Sequence, residues 1–279
     1  MLEYEAIILA GSLVAGIIGA LAGLGGGVLL VPLLTVGFGI DIRYAIGASI
    51  VSVIATSSGA AAAYIRDRIT NMRVGMVLEL ATTTGAIVGA LVSAMVNTSF
   101  LFILFGAVLM ISALPLIARL GEDLPQGVKN DRWADRLRLS ATYHDAALKL
   151  MVPYQVSRVP LGFVMMWVAG LVSGLLGIGS GTFKVLAMDT AMRLPMKVST
   201  TTSNFMIGVT AAASAGIYFS RGDVHPLIAA PVALGVLFGA GIGSRLLVRL
   251  RNKTLRKLFV PLLLIIALQM ILRGFGVQL

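Results

Sequence analysis

Cysteine is absent from this chain, and histidine occurs only twice. The first absence excludes disulfides and thiolate metal sites. With His144 and His225 both read as loop residues, no ligand cluster remains for a metal centre, so neither metal nor cofactor is expected. Charge is scarce too: 12% of the residues are charged against 58% hydrophobic, and the mean hydropathy is +0.96. A soluble domain of 279 residues needs far more polar surface. The short alternating segments of a β-barrel are also missing, which leaves an all-α polytopic protein with the lipid bilayer as its surroundings. Nor does the chain open like a signal peptide. "MLEYEAII" places Glu3 and Glu5 where positive charge would stand, so residues 6–22 read as a retained membrane segment.

The charge that is present is unevenly placed. Of 22 basic and 12 acidic side chains, 12 fall between residues 119 and 158, a stretch too polar to cross a bilayer. It reads as a linker between two membrane halves, 1–118 and 159–279, solvated and carrying a short amphipathic helix near Asp131 to Leu139. The net charge of +10 is the kind that marks cytoplasmic loops in so apolar a chain, and no nucleic-acid partner is expected.

The two halves are one unit written twice. Adding 154 to a position in the first half finds its counterpart without a gap: Gly16 and Gly170, Gly23 and Gly177, Gly25 and Gly179, Gly27 and Gly181. The register continues through Ser49 and Ser203, Thr56 and Thr210, Tyr64 and Tyr218, Gly85 and Gly239, Gly89 and Gly243, as far as Ala113 and Ala267.

Each unit parses into four apolar blocks, at 6–39, 43–65, 73–96 and 99–118, then at 160–192, 197–220, 225–247 and 255–277. The last three of each set have the length of one spanning helix. The first is too long for one straight span and is divided by a glycine run, "GLGGG" at 23–27 and "GIGSG" at 177–181. It is therefore a re-entrant hairpin or two spans, giving roughly 8–10 membrane segments in all. Basic residues cluster in the loop with Arg66, Arg68 and Arg73, and again between Arg245 and Lys257. The loop "VNTSF" carries no charge, and Arg221 nearly cancels Asp223. If basic loops and the linker are all cytoplasmic, the repeats have inverted topology and each first block makes an even number of crossings.

Glycine permits positive φ and close approach of the backbone to a ligand, and a helix restarting after such a break exposes N–H groups suited to an oxyanion. Gly25, Gly26, Gly27, Gly179, Ser180 and Gly181 are candidate substrate contacts on that reasoning. Gly85 with Gly89, and Gly239 with Gly243, read instead as close helix packing. Hydroxyl and amide groups follow in the second blocks. Ser49 and Thr56 share a helix face, as do Ser203 and Thr210 with Asn204 beside them, and these are candidate donors. Back-bonding to the preceding turn is the alternative for each. Three ionisable residues stand at membrane depth, where charge is costly. Lys184 is an anion-attracting candidate, and Glu79 and Asp189 are coupling candidates; snorkelling or a Lys184–Asp189 ion pair is the structural alternative.

The glycine runs together with "STTTSNFMIGVTAAASAGIYFSRGDV" and "LFVPLLLIIALQMILR" resemble the TauE/SafE family of sulfite and organosulfur anion exporters over nearly the whole chain. The resemblance implies a bacterial inner-membrane permease for sulfite, sulfonates or similar anions. The family's second run is usually Gly-Ile-Gly-Gly-Gly, and Ser180 takes the place of its middle glycine here. A secondary transporter of a small anion is thus expected, with a coupling ion, proton or sodium, as a further partner and a homo-oligomer compatible with the sequence. An anion channel or an intramembrane enzyme are the alternatives; no Ser/His/Asp, Cys/His or metal-ligand constellation supports the latter.

Overall fold

A computed structural model describes residues 2–22, 27–66, 69–118, 127–145, 150–247 and 252–277. In the first half, α1 (Leu2–Ala22) is followed by the short α2 (Gly27–Pro32), which runs into a π-helical turn at Leu33–Gly37. Then come α3 (Ile42–Arg66), α4 (Met72–Ser93) and α5 (Thr98–Ala118). The middle holds α6 (Arg132–Arg136) and two strands, β1 (Ala141–Asp145) and β2 (Leu150–Tyr154). The second half repeats the first: α7 (Val159–Leu176), α8 (Gly181–Leu186) with a π-turn at Ala187–Ala191, α9 (Met196–Ser220), α10 (Pro226–Leu247) and α11 (Asn252–Gly274). From α2 onward every element of the second half starts 154 residues after its counterpart, the same offset that aligns the sequences.

The sequence accounts for these elements. Long apolar runs suited to a bilayer must satisfy their backbone polar groups within the segment, which favours helix despite frequent Val, Ile and Thr, and Asn71 caps α4 by accepting the N–H of Val74 at 3.0 Å. α4, α7 and Pro226–Gly243 of α10 are long and apolar enough to cross a membrane, and shorter apolar helical stretches accompany them. Large apolar side chains point outward from these helices, among them Leu80, Val164, Phe238 and Leu268. Such a surface suits hydrocarbon rather than water.

The halves interlock rather than sit side by side. α1 packs on α10, α4 on α7, α3 on α9 and α5 on α11, so exchanging the halves maps the set of contacts onto itself. Glycines make the closest of these contacts. A Cβ built on Gly85 would lie 2.2 Å from the carbonyl oxygen of Trp167, and one on Gly89 would lie 2.1 Å from that of Leu171. Gly239, the counterpart of Gly85, meets the carbonyl of Leu13, the counterpart of Trp167, at the same 2.2 Å. Packing is therefore what Gly85, Gly89 and Gly239 provide.

These contacts also fix direction. Gly85 meets Trp167 and Gly89 meets Leu171, so α4 and α7 run parallel. Asn71 touches Thr202, Glu79 touches Thr210 and Ser93 touches Tyr218, so α4 and α9 run parallel as well. Since α7 and α9 point the same way, residues 177–195 carry the chain back to the end from which α7 began. Gly106 meets Ala267 and Ile271 whereas Gly274 meets Ser99 and Ile103, so α5 and its own counterpart α11 run antiparallel.

The linker departs from an all-α plan. α6 lies where a short helix was expected, capped by Asp131, which accepts the N–H of Ala134 at 2.7 Å and, through its other oxygen, that of Val159 at 2.6 Å. Beyond α6 the chain forms an antiparallel pair of strands, Tyr143 opposite Val152 and Ala141 opposite Tyr154. Thr142, Tyr143, Val152 and Tyr154 suit a strand, but each run is only five residues, too short to stand out as a period of two. Two strands alone are marginal in water. These are held because Leu139, Tyr143 and Val156 are buried in one apolar cluster with Val74, Leu78, Val198 and Met206 of α4 and α9. His144 thus stands in β1 rather than in a loop, while His225 is exposed with its ring edge-on to Tyr44.

Candidate functional site

The second glycine run is a sharp break between two helices. α7 ends at Gly177 (φ +65°), whose N–H reaches the carbonyl of Ser173. Gly179 (φ +70°) and Ser180 (φ +43°) follow in the same left-handed region before α8 begins. The glycines adopt this backbone without steric cost, whereas Ser180 adopts it with a side chain attached. Gly181 has ordinary backbone angles and is small for another reason: a Cβ there would come within 2.7 Å of Ile207 Cδ1. Of the first run, Gly25 and Gly26 lie outside the described residues. Gly27 opens α2 and faces α3, where a Cβ would meet Val53 at 2.7 Å and Ser49 Oγ at 2.8 Å.

The two runs meet. That same Cβ on Gly27 would stand 3.4 Å from the carbonyl oxygen of Gly177, and one on Gly179 would reach both Ile207 of α9 and Val53 of α3. Ser49 ties the runs together, its hydroxyl 2.9 Å from the carbonyl of Gly177 and 3.3 Å from that of Gly27. Ser203 makes the equivalent bond to the carbonyl of Gly181 at 3.1 Å. The matched serines therefore donate to backbone carbonyls at the breaks. Thr56 is half-buried and bonds back to the carbonyl of Ser52 at 3.0 Å; Asn204 is half-buried on α9.

The ionisable candidates separate clearly. Lys184 is fully buried and does not snorkel; its Nζ donates to Thr210 Oγ1 at 2.5 Å. Thr210 in turn donates to Glu79 Oε1 at 2.7 Å, which also accepts from Thr83 at 3.1 Å. A single hydroxyl thus bridges a buried ammonium on α8 and a carboxylate on α4 that is 8% exposed. Thr82 lies 3.3 Å from the same hydroxyl. Asp189 lies in the π-turn after α8, half-buried. Two buried oxygens, Glu79 Oε2 in the bridge and Ser180 Oγ at the helix break, have no hydrogen-bond partner among the described residues. Buried polar atoms are rarely left so. Ser180 stands one helical turn before Lys184, and its carbonyl accepts the Lys184 N–H at 3.1 Å.

Thr82 and Thr83 are the members of this cluster that sequence reasoning passed over. Their signal was present in "ELATTT", since positions three and four after a helical carboxylate share its face. A second buried polar group gathers towards the far ends of α4 and α9. Tyr218 donates to the carbonyl of Gly174 at 2.6 Å, and Arg221 pairs with Asp223 at 2.7 Å while reaching Ser93 at 2.9 Å.

Interlocked apolar helices and a lipid-suited surface describe a multi-pass membrane protein. The chain belongs to the sulfite exporter TauE/SafE family, whose model matches residues 8–270. It is similar to the "Probable membrane transporter protein YunE" of Bacillus subtilis (strain 168), 28% identical over 94% of this chain and 95% of the relative. The "Probable membrane transporter protein YjnA" of the same organism is 28% identical over 95% of this chain and 98% of its own. A "Probable membrane transporter protein" of Xylella fastidiosa (strain Temecula1 / ATCC 700964) is 26% identical over 95% and 94%. No solved structure matches. Family and relatives alike are transporters, not enzymes.

Proposed function

We propose that this chain is a secondary transporter of a small sulfur-containing anion, sulfite or a sulfonate, bound where the two glycine runs meet. The observation that carries this reading is the fully buried Lys184 one turn beyond Ser180, whose buried hydroxyl has no partner among the described residues. An ammonium, an unengaged hydroxyl and backbone released from helix suit an oxyanion. The name of the family model, sulfite exporter, supplies the sulfur.

The two repeats sit inverted in a bacterial inner membrane, with the linker cytoplasmic and the bilayer midplane at the glycine runs. Support comes from the antiparallel run of α5 and α11 and from the paired exchange of helices between halves. The return leg after α7 is the six residues of α8 plus five of π-turn, roughly 16 Å at about 1.5 Å per residue. That is half a bilayer core, which favours a re-entrant hairpin over two full spans for each first block, and net crossings stay even. Alternating access then follows from rocking of one repeat against the other around a fixed site.

Purified protein in liposomes is expected to take up ³⁵S-sulfite saturably, with accumulation above the outside concentration when an ion gradient is imposed. Dissipative, non-saturating flux would instead mark a channel, and chemical conversion without flux an enzyme.

A further inference from the structure

The pseudo-symmetry of the fold places an apolar copy opposite the Glu79–Thr210–Lys184 bridge. Subtracting or adding the repeat offset puts Leu30 at the position of Lys184, Ala233 at that of Glu79 and Thr56 at that of Thr210. Leu30 is fully buried and, among the described residues, Thr56 bonds only back along its own helix. One copy of the unit thus folds around these positions without charge. The charged pair is an addition to one side of a twofold frame, and a role in holding the repeat together does not account for it.

Resting on the transporter reading above, we propose that Glu79 binds a proton that travels with a monovalent sulfonate-class anion held by Lys184, one proton per anion. With Lys184 and Glu79 both ionised, the buried cluster is neutral. An anion arriving at Lys184 makes it net negative, and an uncompensated charge at membrane depth is strongly disfavoured. Protonation of Glu79 restores neutrality. Conversely, a protonated Glu79 without an anion leaves the Lys184 ammonium uncompensated. Each occupant therefore favours the other, and by linkage the effect is reciprocal. Thr210 passes the change across: its hydroxyl accepts from Lys184 and donates to Glu79, so it responds to the charge of either. Glu79 Oε2, buried and without a partner among the described residues, is the atom open to a proton.

The surroundings leave this pair in control. α7, packed against α4, carries no ionisable side chain. α9 carries only Lys197 at its start and Tyr218 near its end, α8 and its π-turn carry Lys184 and Asp189, and on α4 itself Arg73 is turned to the carbonyl of Arg138 in the linker.

The test uses the full chain in liposomes loaded with pyranine, with ¹⁴C-methanesulfonate, a strong acid's anion whose charge is constant from pH 5 to pH 9. An inward methanesulfonate gradient at equal pH is expected to acidify the lumen by one proton per labelled anion. Apparent affinity is expected to fall by up to about tenfold per pH unit once Glu79 is ionised. In Glu79→Gln, whatever exchange remains is expected to lose both the acidification and the pH dependence. Labelled uptake without acidification in the unmodified chain overturns the proposal, as does uptake that follows a sodium gradient instead. So does acidification that persists in Glu79→Gln. Where that variant fails to fold, the stoichiometry of the unmodified chain still decides. Absence of methanesulfonate transport by protein that moves sulfite overturns this inference alone; absence of both overturns the transporter reading with it.

Discussion

Ser180 holds a left-handed backbone (φ +43°) that most family members are expected to fill with glycine, and its buried hydroxyl has no partner among the described residues. Left-handed geometry costs a non-glycine residue about 1 kcal/mol, so Ser180→Gly is expected to raise thermal stability by about that amount. The same change removes a hydroxyl from the proposed anion site, so the KM for sulfite should rise while the melting temperature does not fall. A variant both less stable and unaltered in KM would show that Ser180 is a packing residue. Lys184 and Glu79 invite a different comparison. Removing one charge of a buried pair typically costs about 3 kcal/mol because the other is stranded. Lys184→Leu alone should therefore destabilise the detergent-solubilised protein by about that much. Adding Glu79→Ala recreates the residues of the other repeat, Leu30 and Ala233, and should recover most of the loss. Thermal unfolding of the two variants checks this, and a double variant no more stable than the single one counts against it. That Lys184 and Glu79, both buried, stand within apolar segments was legible in the sequence. That they answer each other through Thr210 was not, because 105 positions separate the two and only the packing of α4, α8 and α9 brings them together.

Helices here are held by backbone contact at glycine, and the cost of a methyl group depends on what lies opposite. At Gly85 the added Cβ would be 2.2 Å from a carbonyl oxygen of α7, which cannot rotate away as a side chain can. Gly85→Ala is expected to separate α4 from α7 at a cost of about 3 kcal/mol. Gly216 on α9 has no atom within 4 Å of the same added Cβ. Gly216→Ala should be neutral or stabilising by up to about 1 kcal/mol, since alanine loses less entropy in a helix. Detergent-stability midpoints for the two variants separate the cases; equal effects would mean that the glycines act through helix propensity alone. The spacing of Gly85 and Gly89 revealed a contact face in the sequence, because residues four apart lie on one side of a helix. The partner was beyond it, since small residues on many helices satisfy the same rule. The linker strands were missed for a related reason. Their pairing is stabilised by burial of Tyr143 and Val156 against α4 and α9, an environment that a local pattern of five residues does not contain.

At the scale of the molecule, the offset of 154 gives two copies of one unit, but a repeat alone does not say whether the copies point the same way. The sequence indicated inversion only through loop charges, some of which belong to short loops. The antiparallel contact of α5 with α11 speaks to direction independently of charge, through Gly106 and Gly274 at opposite ends. Combined with a cytoplasmic linker, it makes a definite assignment for each turn. Asn71, the cap of α4, donates from its side chain to the carbonyl of Leu139 and the hydroxyl of Tyr154 in the linker, so under the proposed topology the start of α4 is cytoplasmic and the turn after it, at Met95, is not. The absence of cysteine makes this directly testable, because any introduced thiol is the only one. Met95 is 88% exposed in the turn after α4, and Met151 is 60% exposed on β2 of the linker. In intact cells a membrane-impermeant maleimide is expected to label Met95→Cys and to spare Met151→Cys until the membrane is opened. Phe275→Cys, after α11 and 71% exposed, should label with Met95→Cys, because α11 runs parallel to α4 if α5 is antiparallel to both. Labelling of Phe275→Cys together with Met151→Cys would place the ends of α4 and α11 on opposite sides. The repeats would then not be inverted, and a single site shared between two opposed breaks would have to be abandoned.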